Sequence, residues 1–293
     1  VSSNEIVYTG GSTESNNMAI IGAALANHKK GKHIIVSKLE HPSIYVICDY
    51  LKSIGFEISY VKNDSDGLID FDDLKKLVRE DTILVSISAV NSEIGIRQPL
   101  KMIRQIIKKE NMGTVFHSDM TQAIGKVSVN MHDVDLASMS SHKIFGPKGI
   151  GFLYIRKGVK IRSFVHGGAQ ERKRRAGTEN VPGIVGIGKA AEIVTERLQN
   201  WKLRWGLLRD TFLTDLGLRM PGEFYINGDS ENYSSNIISL TIPGVNSESL
   251  LLLLDQLDIY LSAGSACSAA SAKSSHVLRG IGMSDEDAAC TVR

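Results

Sequence analysis

Few of the chain's 293 residues are cysteine, proline or aromatic: three Cys, six Pro, and Phe, Trp and Tyr together 6%. Three widely spaced cysteines, Cys48, Cys267 and Cys290, form no CxxC pair. An odd number with no such spacing argues against both a disulfide framework and a zinc site, and fits a reducing compartment. Charge of one sign is also lacking. Formal net charge is +2, so no global field marks a nucleic-acid binder, and the basic run ERKRR at Glu171 to Arg175 reads as a solvated loop. Apolar runs such as VPGIVGIG and SLLLLLD are broken by Gly or charge well before the ~20 residues a bilayer span needs. The opening VSSNEIVYTGG has no charged segment followed by an apolar one; it reads as an interior strand, not a secretory leader. No internal repeat or low-complexity tract stands out.

What is present is alternation. Apolar, β-branched runs (EIVYT, HIIVS, EISYV, TILVSIS, TVFHSD, LASMSS and GIGFLYIR) are separated by stretches of helical period at Asn16 to His28, Ser43 to Ile54, Phe71 to Arg79 and Leu100 to Lys109. That pattern predicts an α/β fold, a mostly parallel sheet with helices on both faces. From about Val181 a long helical stretch runs through Thr214, followed by NIISLTIPG as a strand and SESLLLLLDQ as a helix. The expected division is a large domain over residues 1–200, then a linking helix and a smaller α+β domain over 201–293, with a cleft between them. Cys48 in YVICDYL and Cys290 in DAACTV are expected to be buried.

Three segments carry candidate chemistry. TGGSTESNN at Thr9 to Asn17 puts two glycines, Ser12 and Thr13 between a strand and a helix, where free N–H groups suit a phosphate or a plain helix cap. It has neither the Walker lysine nor the GxGxxG spacing. FHSDMTQ places Asp119 at the carboxyl end of a strand with Gln122 one turn later; an acid there can hold a protonated pyridine nitrogen or cap a helix. In LASMSSHKIFGPKG, Lys143 follows a strand, with Ser140 and His142 before it, a placement suited to tethering an aldehyde cofactor. Lys148 competes with it but lies within the turn.

These segments, with EH at Glu40 and His41, NSEIG, GGAQERKRRAGTEN and SAGSACS, occur in the order of the motifs of NifS/IscS-type cysteine desulfurases. The chain resembles that family from Val1 to Arg293. The resemblance implies an aspartate-aminotransferase-like fold (PLP fold type I), pyridoxal 5'-phosphate as cofactor, and conversion of L-cysteine to L-alanine with a persulfide left on the protein. It makes Lys143 the Schiff-base lysine and base, Asp119 the pyridinium partner, and Gln122 a donor to the phenolic oxygen. His41 stacks on the ring and shuttles a proton to or from the substrate thiol, although the same histidine can simply start a helix. Ser12, Thr13, Ser140 and His142 hold the phosphate, and Thr178 reaches in from the other subunit of a homodimer. Asn91 sits near substrate and ring oxygen, and Arg279 clamps the substrate carboxylate.

The same resemblance makes Cys267 the sulfur acceptor. It lies in YLSAGSACSAASAKSSHVL, a run of small residues without strand or helix period that is able to swing. The persulfide would pass to a scaffold for iron-sulfur cluster assembly or to a tRNA-modifying protein. No resident metal is implied, although Cys267 can touch an iron-sulfur cluster in passing. Neither nucleic acid nor membrane is an expected partner, and the expected location is cytoplasmic unless a targeting segment precedes Val1. Family members begin with a further stretch rich in Asn, Ala and Thr and continue beyond Arg293. Departures are GSTES for Gly-Ala-Thr, NSEIG for a second Asn, DMTQ for Asp-Ala-Ala-Gln, and Ala169 for a third glycine. A selenocysteine lyase would share the cofactor half of the site; a catalytically silent scaffold partner would lack the equivalents of Lys143 or Cys267.

Overall fold

The computed structural model describes residues 1–228, 231–263 and 275–293. Cys267 lies outside the described residues. The chain divides into two compact units, one of residues 1–62, 69–89 and 98–198, the other of 63–68, 90–97 and 199–293.

The first unit is built on a seven-stranded sheet of β1 (Ile6–Thr9), β2 (His33–Ser37), β3 (Glu57–Val61), β4 (Thr82–Ser86), β5 (Val115–Asp119), β6 (Leu136–Ser140) and β7 (Gly151–Ile155). Their spatial order is β1-β7-β6-β5-β4-β2-β3. Pairings from β3 through β6 are parallel, whereas β7 runs antiparallel to both β6 and β1. β2, β4, β5 and β6 are buried along their whole length, as befits continuous apolar runs covered on both faces. The interior-strand expectation for the chain's start is corrected: β1 is an edge, because only β7 pairs with it.

Helices α1 (Ser12–Asn27), α2 (Pro42–Ser53), α3 (Phe71–Leu77) and α4 (Leu100–Glu110) cross over between the strands. α1 is the core helix: Met18, Ala19, Ile20, Ala23 and Ala24 are buried and join one apolar cluster with Ile34, Ile44, Leu51, Leu84 and Leu153. Truncating one such Leu or Ile to Ala costs about 2–5 kcal/mol. α1 begins four residues before the expected Asn16, because its cap is backbone glycine, with Gly11 at φ 152° and no side-chain capping bond. α3 starts at a cleaner signal, Asp70, whose carboxylate accepts the Asp72 and Asp73 N–H groups at 3.0 Å each. Gly151 cannot be larger: a Cβ there would lie 2.2 Å from the Met139 carbonyl oxygen and 2.8 Å from Gly11 Cα.

α5 (Val181–Arg219) is longer than the periodicity suggested, and the division between units falls within it. The second unit holds β8 (Tyr225–Ile226), β9 (Leu240–Thr241) and β10 (Thr291–Val292) in one antiparallel sheet, with α6 (Ser247–Asp255), α7 (His276–Gly280) and α8 (Asp285–Ala289). Residues 90–97 are recruited to it by backbone bonds from Arg97 N to Asn232 O (2.8 Å) and from Ser234 N to Gly95 O (2.8 Å). Among the described residues no helix is long and apolar enough to cross a membrane. Cys48 is buried and its thiol is pushed up to about 12 by desolvation. Cys290 departs from expectation: it ends the short α8 at the unit's rim and stays partly exposed.

Candidate active site

Strand ends collect the chemistry. β5 and β6 are parallel neighbours, with Asp119 in register with Ser138, so Asp119 and the segment 140–143 emerge at the same carboxyl edge, where parallel sheets bind ligands. β6 passes straight into a short 3-10 turn over Ser141–Ile144, which carries His142 and Lys143 out to solvent. Asp119 and Lys143 thus lie at the ends of adjacent strands.

Asp119 is 8% exposed and is held from both sides. Asn16 Nδ2 donates to its Oδ2 at 2.9 Å and Thr121 N to its Oδ1 at 2.9 Å. Two residues earlier on the same strand, His117 is fully buried between Ser86 Oγ (2.8 Å) and Ser138 Oγ (2.9 Å). Desolvation pulls the His117 imidazole down to about 4, against the attraction of Asp119; it is a neutral bridge between strands. Glu40, equally buried, accepts Ser88 N at 2.8 Å and Ser88 Oγ. Burial pushes its carboxyl up to about 8, the two Ser88 bonds opposing this and Asp119 adding to it.

The candidate phosphate cradle lies where β1 turns into α1. Ser12 N donates to Ser140 Oγ at 2.7 Å, and Ser140 Oγ donates to Ser12 Oγ at 3.0 Å. Gly11, the N-cap of α1, offers no capping side chain, and the first-turn N–H of Ser12 is taken instead by Ser140 Oγ. A Cβ on Gly11 would approach Ser140 Oγ to 3.3 Å. Glu14, which would repel an anion here, is turned back onto Gly10 N (2.7 Å) and onto Arg175 Nε (2.8 Å). Ala169 sits at φ −89°, so the departure from glycine costs nothing at that position.

Gln122 and Lys126 lie in the turns after β5, and Lys126 Nζ donates to Gln122 Oε1. Burial, then the charge of Lys143, lowers the Lys126 ammonium to about 8. Lys126 was not singled out from the sequence; its signal was QAIGKV, where Gly125 takes φ 76° and a Cβ would strike Ile144 Cγ2 at 2.8 Å. Asn16, Ser43 and Arg175 were likewise missed, being ordinary surface-type residues by composition. His41 is the N-cap of α2, its Nδ1 accepting Ser43 N at 3.1 Å, so the helix-start role is real. Thr178 is exposed in the loop before α5.

Ser12, Thr13, His41, Asp119, Gln122, Ser140, His142, Lys143 and Thr178 all belong to the first unit. Asn91 and Arg279 belong to the second. Asn91 is 7% exposed, its Oδ1 accepting Glu93 N (2.8 Å) and Ile94 N (3.1 Å); Arg279 is exposed on α7.

A buried acid, a helix start beside serines and a lysine just past the next strand share one sheet edge, and the chain belongs to the class-V aminotransferase family, whose model matches residues 1–287. Pyridoxal 5'-phosphate is that family's cofactor, and the donor set fits it: an anion cradle, a fixed carboxylate and an amine at one sheet edge. The chain is similar to the cysteine desulfurase IscS of Dictyoglomus turgidum, 46% identical over 99% of this chain and 74% of the relative. Among solved structures it resembles a NifS-like protein (TM-score 0.91, 39% identity, covering 100% of this chain and 77% of the other). It also resembles SspA solved in complex with cysteine (TM-score 0.83, 33% identity, 99% and 80%).

Proposed function

We propose that this chain is a pyridoxal-phosphate-dependent cysteine desulfurase that moves sulfur from L-cysteine to Cys267. The observation that carries the reading is the buried Asp119 carboxylate, locked by Asn16 and Thr121 N–H at the sheet edge from which Lys143 also emerges. When bound, the cofactor supplies an electron sink that stabilises negative charge on the substrate carbon.

The chain's residues do the rest. Ser12, Thr13, Ser140 and His142 hold the phosphate, and Asp119 keeps the ring nitrogen protonated. Gln122, its carbonyl engaged by Lys126, offers its amide N–H to the phenolic oxygen. Lys143 tethers the aldehyde and then takes the substrate's α-proton on Nζ. Arg279 binds the substrate carboxylate through its planar fork, and Asn91 sits beside it.

Cys267 attacks as a thiolate. Its sulfur bonds to the substrate sulfur while the substrate's Cβ–S bond breaks; the electron pair stays on carbon, which takes a proton to give L-alanine. The persulfide is then handed to an acceptor for iron-sulfur cluster assembly or thio-modification. The reading includes a homodimer, in which Thr178 completes the partner's cradle, and a cytoplasmic setting, where thiols stay reduced.

The test is a pair of variants of the purified protein. Lys143→Ala loses the visible-edge absorbance of the tethered cofactor; an unchanged spectrum removes the lysine assignment. Cys267→Ala keeps the absorbance but releases no sulfide from cysteine, and sustained release places the nucleophile elsewhere. Sedimentation checks the dimer: a monomer turning over at full rate contradicts the role of Thr178.

A further inference from the structure

We propose that Asn16 and Ser43 are positioning residues that join the Asp119 carboxylate to Nδ1 of His41 by a one-way hydrogen-bond chain, fixing His41 with its proton on Nε2. This rests on the cofactor reading above, in which His41 covers the ring that Asp119 holds.

The direction of the chain follows from its atoms. Asn16 is fully buried, and both amide hydrogens are spent: Nδ2 donates to Asp119 Oδ2 at 2.9 Å and to Ser43 Oγ at 3.1 Å. A flipped amide would set its carbonyl oxygen against the carboxylate, so the orientation is forced. The cost of that orientation is visible, since Asn16 Oδ1 is buried with no hydrogen-bond partner. A residue selected for stability alone would not leave a carbonyl stranded in the core.

Ser43 Oγ, accepting from Asn16, directs its own hydrogen to His41 Nδ1, 2.9 Å away. The backbone N–H of Ser43 donates to the same nitrogen at 3.1 Å. An N–H cannot donate to a ring nitrogen that already carries hydrogen, so the imidazole proton sits on Nε2. His41 therefore faces its ligand as a hydrogen-bond donor. It has no vacant nitrogen to accept a proton from the substrate thiol unless the cap of α2 opens. The shuttle role suggested by the sequence narrows to donation from Nε2, and removal of the thiol proton falls to another group.

The experiment uses holoenzyme labelled with 15N-histidine, His41 being assigned by its loss in His41→Gln. The expected spectrum has a pyridine-type Nδ1 and a pyrrole-type Nε2; a protonated Nδ1 overturns the proposal. Asn16→Ala and Ser43→Ala are expected to lower kcat about tenfold, the low end of the effect of an orienting partner, and to shift the pH midpoint of the cofactor's visible band. Ser43→Thr, which keeps the hydroxyl, restores both. Loss of thermal stability with kcat and band midpoint unmoved makes the two residues merely structural and sinks the idea. If a variant fails to fold, the wild-type spectrum alone decides. A wild-type protein with no visible band refutes the cofactor reading instead, and leaves the tautomer measurable.

Discussion

Lys126 holds Gln122 by its carbonyl end: Nζ donates to Oε1 within the turns that follow β5. The amide nitrogen of Gln122 is thereby left as the end able to meet an oxygen of the cofactor. Lys126→Met removes this constraint without emptying the space, and is expected to shift the visible band of the bound cofactor. The ammonium is lowered to about 8 from an ordinary 10.5. Between those values the unfolded chain binds more protons at this site than the folded one, so stability rises with pH across that window. Urea midpoints from pH 8 to 10 should climb in the wild type relative to Lys126→Met; parallel curves would contradict the depressed lysine.

Asp119→Asn tests the acid itself. The amide still packs, but a neutral side chain cannot keep a ring nitrogen cationic. A lost hydrogen bond to a charged group is worth about 1.5–3 kcal/mol, or roughly ten- to hundredfold in kcat. Cofactor content should be little changed, because Ser12, Ser140 and Lys143 do not depend on this carboxylate. Full activity in Asp119→Asn would assign the ring partner elsewhere.

How much of this could be read before folding depends on the kind of residue. The strand HIIVS forms as written because a β-branched, apolar run bounded by charge has no other place to hide, whereas EISYV pairs at the sheet's edge and stays largely half-buried. Asp119 was legible because it closes such a run, and Lys143 because it comes three residues after one. Asn16 and Ser43 were not: a buried asparagine looks like a surface asparagine until α1 is laid across β5. Residues 63–68 and 90–97 were assigned to the first domain by chain order, yet hydrogen bonds such as Arg97 N to Asn232 O span more than a hundred residues, a separation that local periodicity cannot report.

Glu40 should make the protein's stability depend on pH near neutrality. Its carboxyl is raised from 4.5 to about 8, chiefly by burial. Between those values the folded state binds the extra proton, so stability falls as pH rises through the window. Glu40→Gln keeps an acceptor for Ser88 N and removes the titration. The variant's denaturation midpoint should be flat from pH 5 to 8 where the wild type declines. An equal decline in both would place the titrating group elsewhere.

Asp135 anchors the start of β6 through a cluster of charges. Its Oδ1 meets Arg104 Nη1 at 2.7 Å and Arg156 Nε at 3.0 Å, while Oδ2 meets Lys108 Nζ at 2.8 Å and Phe116 N at 3.0 Å. Burial alone would raise this acid, but Lys108, Arg104 and the Phe116 N–H outweigh it and hold it below the ordinary range. A folded pKa below the unfolded one means stability present above about 3.8 and lost as the solution is acidified further. Asp135→Ala strands three cations around a 5% exposed position, a break that typically costs about 3–5 kcal/mol. Asp135→Asn keeps an acceptor for Phe116 N and should recover part of the loss, so the difference between the two variants reads that hydrogen bond and the packing, while wild type against Asp135→Asn reads the charge. Because β6 ends in Ser140 and leads into Lys143, cofactor content should fall with stability in Asp135→Ala. Unfolding curves within 1 kcal/mol of wild type would show the ion cluster to be marginal to the fold.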